Sequence, residues 1–139
     1  MKRTLFVPLS SLFTALLLAG CGGGTSQTPN AYRLRYSFGA QGDGQTPNGG
    51  LVADAAGNLY GTTKRGGSAY GGTIFSLNAK TGAETVLYSF LQQDPTEGYK
   101  PNGPLTLDSA GKLYGTTLHG SGKVDGGTNG TVFALTPAR

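Results

Sequence analysis

Few side chains in this 139-residue sequence can do chemistry, and they are dispersed. There is one histidine, His119, one thiol, Cys21, and seven acidic residues. Serine-hydrolase chemistry needs a positioned serine, histidine and acid, and no Gly-x-Ser-x-Gly elbow occurs. Glycoside hydrolysis needs two carboxylates about 5–10 Å apart. Asp43 and Asp94, each in a loop after a Tyr-Ser-Phe segment, are the one pair to test for it, and turn capping is their plainer role. A calcium cage needs several acids close together, which this dispersal does not offer. Gly39-Ala40-Gln41-Gly42-Asp43-Gly44 lacks the dinucleotide order of glycines, and Gly122-Lys123 lacks the remainder of a phosphate loop. Tyr70, Tyr99 and His119 fall in expected loops, where they can meet a sugar or peptide. No catalytic, metal or cofactor site is assigned, and the ligand is left unknown.

Two acids recur, and their spacing explains them. Asp54-Ala55-Ala56-Gly57-Asn58 and Asp108-Ser109-Ala110-Gly111-Lys112 have the form of tight hairpin turns. An aspartate caps such a turn through its side chain, and glycine accepts a positive φ. Asp54, Gly57, Asp108 and Gly111 are therefore expected to be structural turn residues.

Cys21 stands in a different context. Lys2 and Arg3 precede an apolar run from Leu5 to Ala19, broken by Pro8, Ser10, Ser11 and Thr14. That is the charged and apolar parts of an export signal, too short for a membrane span of roughly 20 apolar residues. Leu18-Ala19-Gly20-Cys21 resembles the bacterial lipobox. The resemblance implies removal of residues 1–20, lipidation of Cys21, and a membrane anchor made of two or three acyl chains, palmitate among them. Gly22 rather than Asp after the cysteine leans toward the outer membrane or cell surface. Residues 21–31 read as a flexible tether, leaving 32–139 as the folded domain.

Composition narrows the partners. Part of the net charge of +4 belongs to Lys2 and Arg3, and no basic run exceeds Lys64-Arg65. Nucleic acid is not an expected partner. With one cysteine no intrachain disulfide forms, so packing must supply stability. Glycine takes 25 of 139 positions, well above the usual ~7%.

Those glycines punctuate a repeat. Pro47 to Thr63 aligns with Pro101 to Thr117 at an offset of 54 residues. Gly72-Thr73-Ile74-Phe75-Ser76-Leu77 aligns with Gly130-Thr131-Val132-Phe133-Ala134-Leu135 at 58, and Tyr36-Ser37-Phe38 with Tyr88-Ser89-Phe90 at 52. The repeats run over about 47–90 and 101–135, with an N-terminal strand at 32–38. Strands are expected near 50–54, 58–63, 72–78 and 84–90, the last with Val86, Tyr88 and Phe90 on one face. Phe75 and Leu77 should lie opposite Ile74, so both sheet faces are covered. Gly61 and Gly115, inside strands, suggest a bulge or a close backbone approach.

Four short strands in about 50 residues is the pattern of a β-propeller blade. The expected fold is all-β: two tandem, antiparallel, four-stranded propeller-like blades forming an incomplete propeller. Two blades do not close a ring of four to eight. Either several chains pool blades as a homo-oligomer, or the chain is a fragment of a longer repeat protein. A monomeric eight-strand sandwich is the other arrangement.

The ordered motifs Asp-x-x-Gly-x-Leu-Tyr-Gly-Thr-Thr, Gly-Thr-Val/Ile-Phe-x-Leu and Thr-Val-Leu-Tyr-Ser-Phe, over about residues 32–135, resemble the GloVer tandem repeat. That repeat occurs in exported bacterial choice-of-anchor proteins, which differ in their surface anchors. The resemblance implies no activity. The expected function is a lipid-anchored surface binding or structural interaction module, with a carbohydrate or protein ligand. The alternatives are a carbohydrate-active or other hydrolase on a propeller, and a non-functional remnant.

Overall fold

The computed structural model describes residues 31–92, 96–120, 123–124 and 127–138. The expected signal, Cys21, residues 22–30 and Asp94 lie outside the described residues.

Short runs between glycines set the strand lengths. β1 (Gly44–Pro47) and β2 (Val52–Ala53) both pair with β3 (Asn58–Gly66), which pairs with β4 (Tyr70–Asn78), and β4 with β5 (Glu84–Leu91). The second sheet repeats this order. β6 (Tyr99–Pro101) and β7 (Thr106–Leu107) pair with β8 (Leu113–His119), which pairs with β11 (Val132–Leu135). A two-stranded ladder, β9 (Lys123–Val124) with β10 (Gly127–Thr128), lies in the longer connection from β8 to β11. Every pairing is antiparallel, no sheet closes on itself, and there is no helix among the described residues.

Three expectations need correction. Residues 31–39 form no strand, although 32–38 has strand-like composition. A strand needs a neighbouring ladder, and none lies beside this segment among the described residues. Second, β1 and β6 occupy segments expected to be loops. Gly44-Gln45-Thr46-Pro47 and Tyr99-Lys100-Pro101 do not alternate, but each lies at a sheet edge, where proline is tolerated. Third, β5 does not keep Val86, Tyr88 and Phe90 on one face. Ile74 pairs with Tyr88 but Phe75 with Val86, so Leu87 is an extra residue that flips the alternation. Of the two readings of Gly61, the close approach holds: β3 and β4 stay in register through Gly61 and Phe75, and the irregularity falls between Thr63 and Gly66.

What Gly61 admits is a ring. A Cβ there would lie 2.6 Å from the tip of Phe75 and 2.7 Å from Leu51. At Gly115 the distances are 2.4 Å to Phe133 and 2.8 Å to Leu105. Each repeat thus lays its phenylalanine across a glycine of the neighbouring strand.

The two sheets pack face to face. Tyr60, Ile74 and Phe90 from the first meet Leu105 and Leu113 from the second in one buried cluster. Burying such side chains stabilises by about 1.5–3 kcal/mol each. Polar contacts fix the alignment: Asn48 donates to the Asn102 side chain at 2.6 Å, and Thr62 to the carbonyl of Gly103 at 3.3 Å.

Candidate functional site

The hairpin between β2 and β3 closes with the Asp54 amide on the Asn58 carbonyl, 3.0 Å, and the Gly57 amide on the Asp54 carbonyl, 3.2 Å. Gly57 takes φ 88° and Gly111 φ 83°, a region that disfavours side chains. Asp54 Oδ1 accepts from the amides of Ala56 and Asn58, and Oδ2 from Asn58 Nδ2 and the Tyr60 hydroxyl, each within 2.9 Å. The Asn58 side chain and these amides pull the Asp54 carboxyl down to about 2. Asp108 repeats the design on Ala110, Lys112 and Tyr114. Its carboxyl is also lowered, chiefly by the Lys112 amide.

These two turns lie side by side. With Tyr60, Leu107 and Pro137 they line an open depression of about 620 Å³. Its lining is mixed polar and apolar, and its carboxylates are engaged with their own turns, so its free polar chemistry is mainly backbone.

A second repeated link joins each Tyr-Ser-Phe segment to the loop after it. The Tyr36 hydroxyl donates to Asp43 at 2.9 Å, and the amides of Gly39 and Gly44 donate to the same carboxylate at 3.0 and 2.6 Å. Tyr88 donates to Glu97. Glu97 therefore stands as a counterpart of Asp43, 54 residues on. Counting at an offset of 54 from Pro47 and Pro101 finds it, whereas counting from Tyr-Ser-Phe misses it. The bond to Asp43 raises the Tyr36 phenol to about 12. Glu84 is the third acid nearby, its carboxyl raised chiefly by burial.

Beneath each loop lies a pair of threonines. Thr73 meets Thr63 hydroxyl to hydroxyl at 2.8 Å, and Thr131 meets Thr117 at 2.7 Å. A Cβ on Gly44 would fall 2.4 Å from Thr63, and on Gly98 2.6 Å from Thr117. The Gly-Thr pairs of the repeat are thus one polar joint made twice, buried in the first copy and partly buried in the second.

The aromatic candidates are on strands rather than in loops. Tyr70 opens β4, is 73% exposed and has φ 62°. Tyr99 in β6 stacks on His119 of β8 at 4.8 Å between ring centres. Burial, then Lys100 and Lys64, lowers the His119 imidazole. A cavity of about 310 Å³ opens between the sheets, lined by Ile74, Tyr88, Phe90, Glu97, Phe133 and Leu135. Among the described residues no group of three His, Cys, Asp or Glu side chains is placed to hold a metal.

Two sheets that share a strand order, each preceded by a tyrosine–carboxylate link, define an all-β tandem-repeat protein. The chain belongs to the Gloeobacter/Verrucomicrobia repeat family, whose model matches residues 23–139. No curated protein and no solved structure matches it.

Proposed function

We propose that this chain is an exported, lipid-anchored repeat module whose sheets act as propeller-type blades and whose role is binding or structural interaction at the cell surface. Residues 1–20 direct export, Cys21 carries the acyl chains, and residues 22–31 hold the repeats away from an outer membrane. The observation that carries the reading is the use made of the repeated side chains. Asp43, Asp54 and Asp108 accept hydrogen bonds from their own loops, and the repeated threonines and phenylalanines hold the sheets. The recurring chemistry serves the scaffold, so the reading contains no catalysis. Recognition then falls to what varies between the repeats: the exposed Tyr70 and the Tyr99–His119 stack.

The anchor is tested by expressing the full chain in a double-membraned bacterium fed labelled palmitate. Label is expected in the membrane fraction of the wild type and absent from Cys21→Ser. An unlabelled wild type overturns the anchor. The binding role is tested by screening glycans and cell-wall fragments against wild type and Tyr70→Ala. Binding unaffected by loss of Tyr70 and of Tyr99 removes these aromatics from the proposed surface.

A further inference from the structure

Equivalent residues in the two repeats differ sharply in exposure. Ile74 in β4 is 1% exposed, and its counterpart Val132 in β11 is 80% exposed. Leu105 is 5% exposed, and its counterpart Leu51 is 55% exposed. One face of each unit is therefore covered where the other unit lies against it: the Ile74 side of the first and the Leu105 side of the second. The faces no other sheet covers, on the Val132 side and the Leu51 side, carry the same residue types as the covered ones, although on the Leu51 side Phe75 and Leu77 are themselves buried, Phe75 beneath Phe38. They are complementary to each other and not to themselves, the condition for head-to-tail association.

A matching relation holds for the strands. In the first sheet β5 lies along the outer edge of β4. In the second sheet β11 pairs with β8, and among the described residues no strand lies along its other edge. Residues 33–38 have the motif of β5 and lie in no ladder. They already occupy the place of a preceding unit's fourth strand. Phe38 packs edge-on against Phe75 at 5.1 Å, as Phe90 packs against Phe133 at 5.3 Å. Tyr36 meets Phe38 at 5.1 Å, as Tyr88 meets Phe90 at 4.9 Å.

We infer that a second copy of this chain docks on the Val132 face. It adds its residues 33–38 to the edge of β11 and lays its Leu51 face on the second sheet, continuing the interface that joins the two units within one chain. The pairing of β4 with β5 sets the register. Ile74 with Tyr88 becomes Val132 with Tyr36 of the partner subunit, and Ser76 with Thr85 becomes Ala134 with Arg33 of the partner subunit. The edge amides and carbonyls of β11 gain a ladder, and an apolar face is removed from water. The inference rests on repeat packing and not on the lipid anchor, so a chain that takes up no palmitate can still satisfy it.

The test uses the full chain in detergent with Cys21→Ser, which removes the single native thiol. Arg33→Cys and Ala134→Cys, both at exposed positions, are made separately in that background and mixed under a mild oxidant. A disulfide-linked heterodimer is expected as the main product, with little Arg33→Cys homodimer. Light scattering is expected to give a multimer for the parent chain. Val132→Lys, which places a charge on an exposed edge and should leave the circular dichroism unchanged, is expected to abolish both the multimer and the cross-link. A monomeric parent, a homodimer as the main product, or association indifferent to Val132→Lys while the fold is intact would each overturn the proposal.

Discussion

The hydroxyl of Tyr36 donates to the carboxylate of Asp43 at 2.9 Å, tying an unladdered segment to the first sheet. Tyr88 and Glu97 make the same link in the second repeat. The bond favours the neutral phenol. Because the folded value, about 12, lies above the ordinary 10.0, its contribution is complete below pH 10 and is lost as pH rises toward 12. Tyr36→Phe should lower stability by about 1 kcal/mol near neutral pH and flatten the alkaline decline. Urea unfolding at several pH values, with ultraviolet titration of the phenols, measures both. An unchanged alkaline slope in Tyr36→Phe would refute the assignment.

The opposite sign applies at Asp54 and Asp108. The Asp54 carboxyl lies at about 2, below its ordinary 3.8. Its contribution is present above pH 3.8 and is lost as pH falls through about 2. Asp108 shifts in the same direction. The melting temperature of the wild type should fall across that window, and that of Asp54→Asn with Asp108→Asn should fall less. Equal acid sensitivity would mean that other groups control it.

Gly61→Ala places a methyl group against Phe75, which is 4% exposed and has little room to move. The expected cost is about 1–3 kcal/mol, typical of overpacking. Adding Phe75→Leu should recover part of that loss. Gly115→Ala with Phe133→Leu should behave alike. Chemical denaturation of the single and double variants gives the coupling, and purely additive losses would count against ring contact as the cause.

The Thr63–Thr73 joint is asymmetric. Thr63 Oγ1 donates to the Arg65 carbonyl and also takes the Thr73 amide, 3.1 Å, and the Thr73 hydroxyl. Thr63→Val strands three polar groups and should cost about 2–3 kcal/mol, whereas Thr73→Val should cost about 1 kcal/mol. In the Thr63→Val background, Thr73→Val should cost little more. A double-mutant cycle checks this ordering.

The sequence alone determined the repeat, the all-β class and the glycine-bearing Asp turns. These follow from local rules, because a turn residue's φ and an aspartate's reach over four residues do not depend on distant chain. The opposing faces of Ile74 and Phe75 were legible for the same reason, since side chains alternate along a strand. Tertiary structure decided the rest. Residues 32–38 have the composition of a strand, but a strand exists only beside a partner, and composition cannot supply one. The extra residue at Leu87 became visible only through the register of β4 with β5. Gly61 announced a close approach, and only packing identified it as the ring of Phe75. The pairing of Asp43 with Tyr36, and of Glu97 with Tyr88, depends on loops that differ in length, so alignment from one end did not find Glu97. The contrast between Ile74 and Val132 lay furthest from the sequence. Nearly identical residues in identical motifs differ in burial because one has a neighbouring sheet and the other does not.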